Sequence, residues 1–198
     1  MKTIQKTYEV YSFNELSESA KQKALQDNAE NLNEWWDHVF EDVKTIASLM
    51  GINIDNIYFS GFYSQGDGAC FEGNYGYNKN SVKLVMEYAP QDNELHDIVR
   101  TLANIQRRNF YQLYASIKHR GHYYHELCTD IEIERDNYNG QDVNEDDVND
   151  LTDTLHEFMQ WIYKQLENEY DYLTSEENFT EYANDCGLEF YEDGKLTE

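Results

Sequence analysis

The spacing of apolar side chains changes period several times along the chain, and each change marks an element. From Lys2 to Tyr11 apolar and polar residues alternate (Ile4, Tyr8, Val10), which predicts a first strand. Ser12 or Asn14 then caps a helix through Leu16, Ala20, Ala24 and Leu25 to about Glu30. A second helix, from about Asn33, carries Trp36, Val39, Phe40, Val43, Ile46, Ala47 and Met50 at helical intervals, and Gly51 stops it. Three short aromatic or β-branched runs follow, Ile57 to Tyr63, Ala69 to Tyr77 and Ser81 to Tyr88, parted by Gly- and Asn-rich turns. They read as an antiparallel meander.

After Pro90, the stripe Leu95, Ile98, Val99, Leu102, Ile105, Phe110, Leu113, Ile117 predicts one long helix ending at Gly121. From His122 to Glu134 the period returns to two, a further strand with Thr129, Ile131 and Ile133 on one face. A polar loop, Asp136 to Asn144, precedes a long helix striped by Val148, Leu151, Leu155, Phe158, Met159, Ile162, Leu166 and Tyr170. A last helix spans about Ser175 to Asp185 and ends near Gly187. The expected class is α+β: an antiparallel sheet of about four to five strands packed by helices, with a long acidic C-terminal helix. With one proline and no Ser/Gly-rich linker, residues 1–198 are expected to form a single domain whose acidic helical subregion is about 144–198.

Charge changes the picture most. The chain holds 39 acids against 15 bases, net −24, and self-repulsion of that size opposes folding unless it serves solubility, steering or imitation of a polyanion. From Gln141 to Glu198 there are 18 acids and 2 bases (Lys164, Lys195), so the charge is concentrated at the C-terminal end. Direct contact with nucleic acid or an anionic membrane is disfavoured, because each phosphate wants a cation. A 15 % aromatic content, with 17 tyrosines, separates the chain from disordered acidic tails. Three widely spaced cysteines argue for a reducing compartment. The opening MKTIQKTYEV lacks a signal-peptide core and no apolar run approaches membrane-spanning length, so a cytoplasmic location in the host cell is expected.

Asp146, Asp150, Asp153 and Glu157 recur at i, i+4, i+7 and i+11, one side of a helix, spanning roughly 16 Å. A solvated helix face is the plain account of that pattern. Lysines are nearly absent there, which favours an array of carboxylates offered to a basic groove. With Asp147 these form the expected partner-binding face, extended by Glu167, Asp171, Glu176 and Glu177.

The glycine-rich segment Gly61 to Gly73 reads first as a hairpin. As a loop site it would draw on Gln65, Asp67 and Cys70 with His122 and His125, either as a backbone nest for an anion or as a small enzyme or ligand-sensing centre. His119, His122, His125 and Cys128 recur every third residue, but on a strand His122 and His125 point to opposite faces, so no metal site is expected. Asp136 to Asp147 has Tyr138, Gln141 and Asp147 where a calcium loop needs other residues, leaving only loose cation binding by Asp142, Glu145, Asp146 and Asp147. Arg100, Arg107, Arg108, Lys118 and Arg120 concentrate the bases on the one long helix expected after Pro90, for internal pairing or a homodimer contact with an acidic face, with a small nucleic-acid site as the lesser alternative.

The string SGFxSQGDGAxF, Ser60 to Phe71, after a helix with the pair Trp35-Trp36, resembles a family of small phage- and prophage-encoded proteins commonly labelled antitoxin-like. The resemblance runs from Phe13 to about Glu134 and includes His122-Tyr123-Tyr124-His125. It implies a mobile-element origin and interference with host machinery, and it carries over no catalytic residues. The expectation is therefore a non-enzymatic inhibitor of anti-restriction or anti-CRISPR type, without a cofactor. Its partner would be a basic nucleic-acid-handling protein of the host, met by carboxylates placed as phosphates are. The alternatives are an antitoxin or other protein-binding module, and a small enzyme or ligand-sensing domain around Gly66-Asp67-Gly68.

Overall fold

A computed structural model describes residues 7–136 and 142–197. The chain forms two compact units, Met1–Trp35 with Asn168–Glu198, and Trp36–Glu167. The class is α+β, as expected.

In the first unit, helix α1 (Glu18–Glu30) starts at Ser17, whose hydroxyl accepts from Ala20 N at 3.3 Å. The C-terminal segment folds back so that Tyr11 and Phe190 exchange two backbone hydrogen bonds of 2.8 Å. That bridge is all of the expected first strand that is seen, because residues 7–10 form no β-pairing among the described residues and residues 2–6 lie outside them. Phe13 meets Phe179 edge-on at 5.0 Å inside a core with Leu16, Ala20 and Phe190.

The second unit is a four-stranded antiparallel sheet with helices on one face. Helix α2 (Asp37–Met50) ends at Gly51, whose φ of +90° suits glycine, and β1 (Ile52–Phe59) starts at once. Next come β2 (Ala69–Gly76), α3 (Ser81–Tyr88), α4 (Asn93–Arg108), β3 (Leu113–His119), β4 (Thr129–Arg135) and α5 (Glu145–Thr174), which runs on into the first unit and is followed there by α6 (Glu176–Asp185). Sheet order is β1-β2-β3-β4, with Tyr58 opposite Cys70, Tyr75 opposite Ala115 and Ala115 opposite Ile133. The buried face holds Ile52, Ile54, Phe71, Tyr75, Leu113, Ala115 and Ile117. Phe158 of α5 packs on Phe71 at 6.0 Å and stacks on Trp161 at 5.6 Å. The Trp161 indole donates to Asp92 Oδ2 at 2.8 Å, while Asp92 Oδ1 caps α4 by accepting from Leu95 N. One carboxylate thus locks α4 to α5.

Three expected elements are corrected. Ser81 to Tyr88 is a helix, not a strand: Ser81 and Val85, four apart, face the core, and Lys83, Leu84, Met86 and Glu87 are good helix formers. The long helix after Pro90 stops at Arg108. Leu113, Ala115 and Ile117 fit a period of two as well as of 3.6, and a hydrogen-bonded turn decides for the strand. Within that turn Tyr111 N donates to Gln106 O at 2.7 Å and Phe110 N to Arg107 O at 3.4 Å, a Schellman closure. The buried Gln106 amide then bonds both backbone groups of Leu113, at 2.8 and 3.2 Å. Finally, the strand expected from His122 begins only at Thr129, because Gly121 turns at φ +86° and Glu126–Cys128 forms a 3-10 turn.

Phe110 occupies the left-handed position of the Schellman closure, at φ +57°, where glycine is usual, and it is 74 % exposed. A left-handed backbone costs a bulky residue about 1–2 kcal/mol, and glycine's extra chain entropy returns part of that. Phe110→Gly is expected to stabilise the fold by about 0.5–1 kcal/mol, read as a higher urea midpoint. A lower midpoint would show that the ring packs on something.

Candidate functional site

The outer ridge of α5 carries the acidic array. Leu151, Leu155, Phe158, Met159 and Ile162 are fully buried on the opposite side, so the ridge is set by core packing. Asp146, Asp150, Asp153 and Glu157 are exposed along it. They are not equivalent. Arg108 binds Asp147 at 2.7 Å and Asp150 at 2.6 Å, and Asp147, its side chain 15 % exposed, also accepts from Asn109 Nδ2 at 2.9 Å. The buried Asn109 accepts in turn from Arg135 at the end of β4. Asp147 and Asp150 are therefore structural. Asp146 lies in the first turn, where a carboxylate suits the helix dipole. Asp153 and Glu157 sit mid-helix, and with Asp146 they make no ion pair among the described residues.

His156 gives the ridge no charge near neutral pH, because burial pushes its pKa down. Thr129 Oγ1 donates to Glu126 O at 2.6 Å, which leaves its lone pairs to accept from His156 Nε2 at 3.3 Å. That bond ties the start of β4 to α5, as the Arg135–Asn109–Asp147 chain ties its end. Of the acids on β4, Asp130 is paired with Arg120 at 3.0 Å, whereas Glu132 and Glu134 are not paired among the described residues. β4 is an edge strand, and charge there also blocks edge-to-edge pairing. The expected extensions are dispersed: Glu167 closes the second unit, while Asp171, Glu176 and Glu177 belong to the first, where Glu176 meets Lys21 at 3.5 Å. The calcium-like reading of Asp136 to Asp147 falls partly on residues outside the described chain.

The loop-site residues come together only in part. Asp67 Oδ2 accepts from Ser64 N at 2.8 Å and so closes its own turn, and Gln65 is exposed. Gly68 abuts His125 so closely that a Cβ would lie 2.5 Å from that residue's Cβ. His125 Nε2 reaches Cys128 Sγ at 3.3 Å. Cys70 is buried, and burial pushes its thiol up to about 12, so it stays protonated and is a poor nucleophile. His122 is exposed and bonds to none of them among the described residues. No group of three or more His, Cys, Asp or Glu side chains among the described residues is placed to hold a metal ion. No helix among them is long and apolar enough to cross a membrane.

One polar cluster escaped the sequence reading. Glu72 accepts from Tyr58 Oη at 2.9 Å, Asn56 Nδ2 at 3.2 Å and His119 N at 3.3 Å. Those bonds, the tyrosine's first, hold its carboxyl below the usual range and push the Tyr58 phenol up. Tyr58 stacks on Tyr124 at 5.4 Å, and His119 packs 5.2 Å from both rings. The five residues come from three strands and a turn, and only the Tyr58-to-Glu72 hairpin spacing hinted at it.

No curated protein and no solved structure matches the chain. A family model described as a domain of unknown function, DUF8835, matches residues 35–176. That span covers the strands, the helices from α2 to α4 and the whole of the acidic helix α5, and the chain belongs to the DUF8835 family.

Proposed function

We propose that this protein is a mobile-element-encoded inhibitor of a host nucleic-acid-binding defence protein, acting in the host cytoplasm as a nucleic-acid mimic. The observation that carries the reading is the ridge of α5. Asp146, Asp153 and Glu157 face solvent without ion pairs among the described residues, on a helix whose other side is fully packed. Solubility needs no such rigid platform. A groove built for phosphates gains from carboxylates whose positions are already fixed, because less side-chain and backbone freedom is lost on binding.

The plainer alternative is a module that recognises one protein by shape, as an antitoxin does. Exposed rings favour it, chiefly Phe110, held exposed in a strained conformation, since aromatic anchors dominate shape-driven interfaces. Salt separates the two. The protein, tagged and exposed to nuclease-treated bacterial lysate, is expected to retain a DNA- or RNA-handling protein at low salt and release it by about 0.5 M. At that concentration the Debye length has fallen to only a few ångströms. A partner that stays bound through the gradient and has no nucleic-acid groove would favour recognition by shape.

A further inference from the structure

The second unit contains a cavity whose charge is opposite to that of the protein. Its volume is about 440 Å³, and Arg100, Arg107, Tyr77 and Tyr111 line it together with the start of α3 at Asn80 and Ser81. Acids make up 39 of the chain's 198 residues, yet none of the described ones lines this cavity. Arg100 and Arg107 lie seven residues apart on α4 and hence on one face of it. Arg100 holds Asp97 at 3.0 Å, across an exposed pair that an incoming anion would readily displace. Arg107 donates to Asn104 Oδ1 at 3.1 Å and has no carboxylate partner among the described residues, though acids outnumber bases more than twofold.

The other wall is aromatic. Tyr77 and Tyr111 pack at 4.5 Å between ring centroids, both partly exposed. Tyr111 is placed by the Schellman closure of α4, at φ +62°. Asn80 and Ser81, also in the lining, start α3: Asn80 is left-handed and its side chain does not cap the helix, while Ser81 N donates to Asn78 O at 3.4 Å. Paired guanidiniums suit the oxygens of a phosphate, and a tyrosine face suits a planar base. The volume falls in the range of small-molecule sites, roughly 300–1,000 Å³.

We propose that this cavity is a nucleotide site, with Arg100 and Arg107 on the phosphate and the Tyr77–Tyr111 pair against the base. It is separate from the acidic ridge, so it stands or falls independently of the inhibitor reading.

The test is calorimetric titration of the full chain with the four ribonucleoside monophosphates, the matching nucleosides and inorganic phosphate. At least one monophosphate is expected to bind at one site per chain, with its nucleoside and inorganic phosphate each at least about tenfold weaker, since a charged hydrogen bond contributes that much. Arg107→Gln changes an exposed residue and so keeps the fold, and it should weaken that nucleotide at least about tenfold. Tyr111→Gly removes the ring while suiting the left-handed backbone, and it should weaken the nucleotide but not phosphate. Arg120→Gln, which is outside the cavity, should change nothing. No binding of any monophosphate at millimolar concentration, or binding untouched by Arg107→Gln in a folded protein, would overturn the site. Equal affinity for phosphate and nucleotides would overturn the base-stacking role.

Discussion

Reversing the three unpaired ridge carboxylates, Asp146→Lys with Asp153→Lys and Glu157→Lys, is expected to abolish partner binding while the protein stays folded. The choice of residues follows from the structure. Including Asp147 or Asp150 would free Arg108 and confound lost binding with lost structure. The three chosen side chains are exposed and make no ion pair among the described residues. The Asp146→Lys change puts a cation in the first turn of α5, at a cost of about 0.3–1 kcal/mol, which relief of like-charge repulsion along the ridge partly offsets. The functional effect should be far larger. Each reversal replaces an attraction with a repulsion at a basic groove, and truncating one partner of a close charge pair already costs about 2–5 kcal/mol. Three together should place binding beyond detection. Circular dichroism and the thermal midpoint check the fold, and retained binding by a folded variant would exclude this ridge.

The second large effect concerns stability. Asn109 is buried and holds three elements together: it donates to Ile105 O at 3.0 Å and to Asp147 Oδ2 at 2.9 Å, and accepts from Arg135. It thus joins the end of α4, the end of β4 and the start of α5 just where the chain turns toward β3. Asn109→Ala leaves the Arg135 guanidinium, whose Nε already lacks a partner, with less to bond and opens a small cavity. A buried group stranded this way costs about 1–3 kcal/mol, more when charged, so a loss of about 3 kcal/mol is expected. For a chain of this size that lowers the thermal midpoint by roughly 6–12 °C. Arg108→Gln, half-exposed, should cost under about 1 kcal/mol by comparison. If the two variants lose the same amount, the network is not cooperative.

Much of this was legible in the sequence because periodicity reports burial. The stripes of α2 and α5 are long and regular, and the stops at Gly51 and near Gly187 coincide with left-handed glycines. The acidic ridge is visible for the same reason. What periodicity cannot report is which of two compatible periods wins. Leu113, Ala115 and Ile117 became a strand because Gln106 and Asn109 close a turn before them, and that closure depends on contacts across elements. Nor can spacing divide the ridge into structural and unpaired acids, since the divider is Arg108, some forty residues upstream. The arginine-rich helix stood out in the sequence, and the expectation of internal pairing holds for Arg100, Arg108 and Arg120. Arg107 departs from it, and the structure sets it beside two tyrosines from different parts of the chain. The Glu72 cluster was hidden because its members meet only across the sheet.

The most direct test of the mimicry claim is capture of the partner from nuclease-treated lysate against a rising concentration of added duplex DNA, at low and constant salt. If carboxylates occupy the place of phosphates, recovered partner should fall as DNA is added and vanish once DNA saturates the groove. Recovery that is unchanged at saturating DNA would contradict mimicry and place the interface elsewhere.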